Sequence, residues 1–158
     1  MIGTAVHRLF ELQGRDSVDA SATETVSERL KALIRDEEVV ETDDLDAVLR
    51  QAVEAYLQLR EDSEVESSLR AGDAWFEVPF SVRPAGAATV LRGTFDCLIR
   101  TRDGRVRLLE FKTGRPSRRH KEQLAIYLSA ARALFPETAV EGMLVYARGR
   151  NQTGQKGV

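Results

Sequence analysis

The sequence contains a single cysteine, Cys97, among its 158 residues. One cysteine excludes an internal disulfide and any zinc site or iron–sulfur cluster that needs several cysteines. The chain also lacks any apolar run of roughly eighteen residues, the length that a transmembrane helix requires. Its first residues, MIGTAVHRLFELQ, do not follow the basic-then-apolar order of a secretory signal. These absences predict a protein of a reducing compartment, which we take to be the cytoplasm, without a membrane partner.

The composition is that of a globular domain, with 42% hydrophobic and 30% charged residues, and the chain is long enough to bury a core. The net charge of −2 conceals an uneven distribution. Residues 36–46 carry seven acids and no base, whereas residues 100–121 carry nine Lys and Arg and two acids. A basic segment is either a solvated face or a polyanion-binding surface, and charge alone leaves both interpretations open.

The spacing of apolar residues predicts helices first and then mostly strands. The predicted helices cover residues 3–13, 21–38, 42–60 and 118–135, and the predicted strands cover 75–82, 89–101, 105–113 and 140–147. Thr42 or Asp43 is the expected N-cap of the third helix. In the first strand, the even-numbered residues 76–82 are expected to share the buried face. Pro79 suggests that this strand lies near a sheet edge or a bulge.

This order of elements predicts a small α/β domain with a mixed sheet, because a helix between two strands usually returns the chain parallel to the sheet. We expect one domain over residues 1–147, with a helical part at 1–72 and the sheet with its crossover helix at 73–147. Residues 148–158 have no apolar period, and we expect a flexible tail there.

The stretch LLEFKTGRP breaks an apolar strand with two charged residues. Glu110 and Lys112 are two residues apart, so the alternation of a strand places both side chains on one face. Asp96 is a second acid inside an apolar strand, in RGTFDCLI. Whether the two acids meet depends on the turn that joins their strands.

Two turns are compatible with the connection between these strands. A two-residue Asp103-Gly104 turn would place Asp96 and Glu110 on opposite faces. A three-residue loop from Arg102 to a left-handed Gly104 would set the two acids opposite each other. If the acids act together, the second turn, or a bulge with the same effect, is required.

Two carboxylates about 4–5 Å apart repel by roughly 3–4 kcal/mol at an effective dielectric near 20. Such a pair needs a cation or a shared proton, and the single ammonium of Lys112 cannot satisfy all the carboxylate lone pairs. Mg²⁺ or Mn²⁺ is the natural occupant, since both are hard ions that prefer oxygen ligands. The alternative is a structural Asp–Lys–Glu ion network, which the spacing of the acids leaves open.

Four segments resemble the PD-(D/E)XK nuclease superfamily, and within it the RecB-like branch: GTAVHRLFE, LRGTFDCLI, LLEFKTG and EQLAIY. Each segment is a weak signal alone, but their order and their strand and helix contexts agree with that family. The resemblance implies a restriction-endonuclease-like fold, in which helices flank a mixed central sheet. It also implies hydrolysis of DNA phosphodiester bonds with Mg²⁺ or Mn²⁺ as the cofactor.

The resemblance assigns roles to five residues near the interrupted strand. Asp96 and Glu110 would bind the metal, together with His7 and the main-chain carbonyl of Phe111. Lys112 would orient or polarise the attacking water and steady the charge on the phosphate. By its position alone, His7 would more often be a structural histidine, and only the motif favours a ligand.

The helix that follows the interrupted strand carries further residues of interest. Gln123 and Tyr127 are four residues apart and share a helix face, and the resemblance implies that they position the lysine, water or DNA. Without it, they would be ordinary helix surface. The basic residues after Lys112 are expected to hold the nucleic-acid backbone without reading bases; these are Arg115, Arg118, Arg119 and Lys121.

Two other residues are interpreted more simply. Glu77 lies in WFEVPF, a stretch also similar to the family's first strand, but a solvated strand residue is the favoured interpretation. Cys97 is expected to point away from Asp96 into the core as an inert buried thiol.

The fuller expectation is an exodeoxyribonuclease module of a helicase–nuclease that acts in DNA recombination and repair, on single-stranded DNA or duplex ends. The sequence has no G-x-x-x-x-G-K-[ST] phosphate loop, so a helicase would lie elsewhere in the parent protein or on a partner subunit. A stand-alone nuclease is the second interpretation. The alternative from a different functional class is a non-catalytic nuclease-like module that binds DNA or a protein. The presence of every motif residue favours the enzyme.

Overall fold

The computed structural model describes residues 1–13, 23–34, 44–86 and 88–147. The helices are α1 (Ile2–Gln13), α2 (Thr23–Leu33), α3 (Leu45–Arg60), α4 (Ser63–Arg70) and α5 (Arg118–Leu134). The strands are β1 (Gly72–Val82), β2 (Leu91–Thr101), β3 (Val106–Lys112) and β4 (Val140–Tyr146). None of the described helices is long and apolar enough to span a membrane.

The four strands form one mixed sheet in the order β1-β2-β3-β4. The first three strands pair antiparallel, and β4 pairs parallel to β3 after the crossover through α5. The prediction of an α/β fold with helices flanking a mixed sheet is confirmed. Pro79 lies on the edge strand β1, where a residue without a backbone N–H is tolerated.

The boundaries of the helical part differ from the prediction. Helix α2 ends at Leu33, and residues 35–43, which include the expected caps Thr42 and Asp43, lie outside the described residues. The N-cap of α3 is instead Asp44, whose carboxylate accepts a hydrogen bond from the backbone N–H of Ala47 at 2.9 Å. Helix α4 was not predicted, since its sequence SEVESSLR has only two apolar residues to reveal a period. Its N-cap Asp62 accepts hydrogen bonds from the first turn.

The turn between β2 and β3 is the three-residue loop that brings Asp96 opposite Glu110. The backbone N–H of Thr101 donates to the carbonyl of Arg105 at 2.9 Å. Gly104 adopts a left-handed φ of 83° at the end of the loop, a conformation that costs other residues energy. Cys97 therefore pairs with Leu109. The next two positions away from the turn are Asp96 and Glu110.

Two apolar clusters cover the two faces of the sheet. The first packs α1 to α4 against the sheet residues Cys97, Ile99, Leu109, Phe111 and Val145. The second packs α5 against residues that include Phe80, Phe95, Leu98 and Leu108. Cys97 is fully buried in the first cluster, so its predicted orientation into the core is confirmed.

Strands β1 and β2 exchange faces halfway along their length. On β1, Phe76 packs with the first cluster, but Val78 packs with the second. On β2, Phe95 belongs to the second cluster and Cys97 to the first. Residues two apart on a regular strand share a face, so the prediction that residues 76, 78, 80 and 82 do so is wrong. This exchange of faces lets the hairpin of β1 and β2 pack against α1 on one face of the sheet and against α5 on the other.

We expect Gly104→Ala to lower the free energy of unfolding by about 1 kcal/mol, because alanine resists the left-handed conformation. Gly114→Ala is the matched control. A Cβ at either position would meet no atom within 4 Å, but only Gly104 has a positive φ. Urea unfolding of the two variants measures the difference, and equal stabilities would contradict the assigned turn.

Candidate active site

The site lies where β2 and β3 stop pairing through their backbones. The last register pair is Cys97 with Leu109. Beyond it, the carboxylate of Asp96 accepts a hydrogen bond from the backbone N–H of Phe111 at 2.8 Å. The backbone N–H of Asp96 lies 3.5 Å from Oε1 of Glu110. Acidic side chains thus replace the backbone ladder between the two strands.

Lys112 joins the two acids. Its Nζ donates to Oε2 of Glu110 at 3.2 Å and lies 3.8 Å from Oδ2 of Asp96. The side chain of Glu110 is fully buried, whereas that of Lys112 is 14% exposed and that of Asp96 8% exposed. The motif lysine and both motif acids therefore form one contiguous group, which opens to solvent at its lysine end.

His7 reaches the site from α1. Its Nδ1 lies 2.8 Å from Oε1 of Glu77 and 3.5 Å from Oδ1 of Asp96. One turn later, the ring of Phe10 stacks on Phe111 at a centroid distance of 4.1 Å and on Phe76 at 5.6 Å. These stacked rings hold α1 across β1 and β3. They thereby fix the position of His7 relative to the carboxylates.

Glu77 is part of the site, and the expectation of a solvated strand residue is wrong. The register pairs on either side are Phe76 with Cys97 and Val78 with Phe95, so Glu77 lies across from Asp96. Its φ of 51° makes it the one described non-glycine residue with a positive φ. Strain of this kind persists where the surroundings enforce it, and it is frequent at functional sites. No sequence pattern encodes this conformation for a glutamate.

Gln123 and Tyr127 contact each other rather than the acids. Nε2 of Gln123 donates to the Tyr127 hydroxyl at 3.2 Å, and the Tyr127 ring packs edge-on against Phe80 and Phe95. Gly93 permits this packing, because a Cβ there would lie 2.9 Å from the ring of Phe80. Tyr127 therefore touches the residue that precedes Asp96. Within the described chain, neither residue hydrogen-bonds to Asp96, Glu110 or Lys112.

The four basic residues predicted to bind nucleic acid are all exposed, beyond the end of β3 and on the first turn of α5. Arg118 pairs with Glu122 at 2.8 Å along the helix. An exposed pair of this type adds little stability, so the charge remains available to a ligand.

Comparison with known proteins agrees with this geometry. A sequence model described as the PD-(D/E)XK nuclease superfamily matches residues 1–157. The chain belongs to this superfamily. No curated protein matches it. One matching solved structure, titled "Crystal structure of SSO0001", shares 20% identity at a TM-score of 0.39 and covers 90% of this chain and 70% of that one.

Nucleases of this superfamily use divalent metals, and the described donor set fits such an ion. His7, Glu77 and Asp96 each offer a ligand atom, and these atoms lie within 4.8 Å of one another. The two carboxylates supply the oxygen ligands that Mg²⁺ and Mn²⁺ prefer, and His7 adds one nitrogen donor. Glu110 lies on the far side of Asp96, where it contacts Lys112. The described hydrogen bond between Phe111 and these residues runs from its backbone N–H to the carboxylate of Asp96. The role of its main-chain carbonyl as a metal ligand stays a prediction.

The electrostatics of the site favour bound protons or a bound cation. Burial raises the pKa of Glu110 to about 7, and the negative charge of Asp96 adds to the effect. Burial likewise raises the pKa of Asp96, although His7 and Lys112 oppose it. Burial would lower the pKa of His7, but the hydrogen bond to Glu77 and the charge of Asp96 outweigh it, so this pKa is raised. A divalent cation would offset the same repulsion.

These shifts predict that the metal-free protein loses stability as the pH rises from 4.5 to about 7. All three groups hold their protons more tightly when folded, so the unfolded chain releases them first and unfolding is favoured as the pH rises. For Glu110 the window runs from its ordinary 4.5 to about 7, on the order of 3 kcal/mol. Urea unfolding in EDTA measures the slope. Glu110→Gln should flatten it, and an unchanged slope in that variant would contradict the assignment.

Proposed function

We propose that the chain is a Mg²⁺- or Mn²⁺-dependent nuclease that hydrolyses DNA phosphodiester bonds at the site described above. The observation that supports this most strongly is the convergence of Asp96 and Glu110 on Lys112, with Nζ at 3.8 and 3.2 Å from their carboxylates. A structural ion network would explain these contacts alone. It would not explain why His7 and Glu77 add two more metal-ligating groups beside Asp96.

Each residue has a proposed part in the reaction. His7, Glu77 and Asp96 would hold the cation, and Glu110 would join them when its proton is displaced. When bound there, a divalent cation would supply Lewis-acid stabilisation of the charge on the phosphate and would lower the pKa of a bound water. Lys112 orients the attacking water through its ammonium and stabilises the charge that develops on the phosphate. Gln123 and Tyr127 position the DNA or the water from α5.

The finer assignment is to the RecB-like branch, on the strength of the four ordered segments. In this proposal the chain is an exodeoxyribonuclease module that works with a helicase, in cis or on a partner subunit, during DNA recombination and repair in the cytoplasm. We propose one domain over residues 1–147, in which the helical part carries His7 and the sheet carries the acids.

Lys112→Ala tests the proposed activity. We expect cleavage of single-stranded and duplex DNA in Mg²⁺ or Mn²⁺ to fall by about a hundred- to a thousandfold, since a preorganised charge aimed at the transition state contributes on this scale. Folding and DNA binding should be largely retained. Lys31→Ala is the matched control, because Lys31 is an exposed lysine on α2 that pairs with Asp46. Full activity in Lys112→Ala would contradict the role, and a wild type that binds DNA without cleaving it would favour the non-catalytic module.

Removing the basic surface should weaken binding without changing its sequence preference. We expect glutamine at Arg115, Arg118, Arg119 and Lys121 together to reduce the salt dependence of DNA binding, by up to about 3 in the log–log slope. The control removes four charges elsewhere, at Arg29, Lys31, Arg50 and Arg70 on the helical part. Fluorescence anisotropy at several salt concentrations measures both variants. An equal decrease in the salt dependence of both variants would show that DNA binding depends on net charge and not on this surface.

A further inference from the structure

Tyr146 lies beside Lys112 on the same face of the sheet. The two residues are register partners in the parallel pair of β3 and β4, and the backbone N–H of Ala147 donates to the carbonyl of Lys112 at 2.9 Å. Register partners on neighbouring strands present their side chains on one face, about 4.8 Å apart. Gly142, on the same strand as Tyr146 and four residues earlier, lies against Leu124 and Leu128 of α5. Lys112 and Tyr146 therefore both face α5.

His120 covers Tyr146 from the first turn of α5. Its Nδ1 lies 3.1 Å from the Tyr146 hydroxyl, and the two ring centroids are 5.7 Å apart. Both side chains are partly exposed. Within the described chain, Nε2 of His120 has no hydrogen-bond partner. The pair therefore keeps hydrogen-bonding capacity for a ligand at the mouth of the site.

The surroundings of this pair are positively charged. His120 lies between the exposed residues Arg119 and Lys121, neither of which forms an ion pair with a described residue. On the other side, Lys112 contributes its ammonium one strand away. A polar pair amid exposed cations, with a free ring nitrogen, suits an anionic oxygen better than a sugar or a base.

We propose that His120 and Tyr146 bind the phosphate of the nucleotide next to the scissile one. This inference rests on the proposed nuclease function, in which Lys112 serves the scissile phosphate. A DNA strand that crosses the ends of β3 and β4 brings its next phosphate over Tyr146. His120 contacts that phosphate through Nε2, and its bond to the Tyr146 hydroxyl fixes the orientation of the ring. The pair thereby sets the position of the strand relative to Lys112.

The test measures binding of a fluorescent single-stranded oligonucleotide, with Ca²⁺ replacing Mg²⁺ so that the probe is not consumed. The proteins are the wild type, His120→Gln, Tyr146→Phe and the double variant. Ser129→Ala, an exposed position of α5, is the control. A set of probes carries one neutral methylphosphonate at successive positions. Each probe thus removes one charged phosphate contact.

We expect each single variant to bind the unmodified probe at least about tenfold more weakly, the effect of one lost hydrogen bond to a charged group. The double variant should be insensitive to methylphosphonate at one position and respond like the wild type at all others. A purely structural role would instead weaken binding equally at every position, and that result would overturn the inference. Unchanged affinity in all variants would overturn it while leaving the proposed function intact.

Cleavage and stability measurements separate the remaining outcomes. We expect the variants to raise KM for oligonucleotide cleavage more than they lower kcat, and to melt within a few degrees of the wild type. A fall in kcat alone would overturn the phosphate-binding role. A wild type that binds no oligonucleotide would overturn both this inference and the proposed function.

Discussion

The repulsion among buried carboxylates at one point of the sheet is the constraint on which the rest of the site depends. Glu77, Asp96 and Glu110 come from three consecutive strands, and two of them are almost completely buried. Their charges are offset in part by His7 on one side and Lys112 on the other. Two such cations cannot neutralise three acids and satisfy all their oxygens. Burial raises the pKa values of Asp96 and Glu110, and the neighbouring acids add to the effect. A divalent cation would relieve the remaining charge imbalance.

The fold supports this arrangement from both faces of the sheet. Phe10 stacks on both Phe76 and Phe111, and so attaches α1 to the strand residues next to Glu77 and Glu110. On the other face, α5 packs Tyr127 against Phe80 and Phe95. The exchange of faces in β1 and β2 makes both attachments possible.

Much of this could be read from the sequence, because it depends on periodicity and on local turn chemistry. The spacing of Glu110 and Lys112 predicted their common face. Gly104 made the three-residue turn possible but did not exclude the two-residue turn, and the register of the strands then placed Asp96 opposite Glu110. Five of the described elements were expected within one or two residues of their bounds. Helix α4 was missed because it has too few apolar residues to show a period. It is held instead by capping from Asp62 and by the burial of Val65.

The part of the site that sequence could not predict depends on long-range contacts. Glu77 looked like an exposed strand residue, since alternation is a local rule and nothing local reveals a positive φ at a glutamate. Its place in the site depends on the packing of α1 across the hairpin, which brings Nδ1 of His7 to 2.8 Å from Oε1 of Glu77. The pairing of His120 with Tyr146 likewise requires the crossover helix to return over β4, a tertiary contact that neither segment encodes by itself.

Titration calorimetry with Mn²⁺ near pH 6.5, in two buffers of different ionisation enthalpy, tests the central claim most directly. The account predicts that the wild-type chain takes up Mn²⁺ and releases protons, because the ion displaces those held by the crowded acids and His7. Asp96→Asn should abolish the uptake. No binding by the wild type, or binding that this substitution leaves unchanged, would contradict the account.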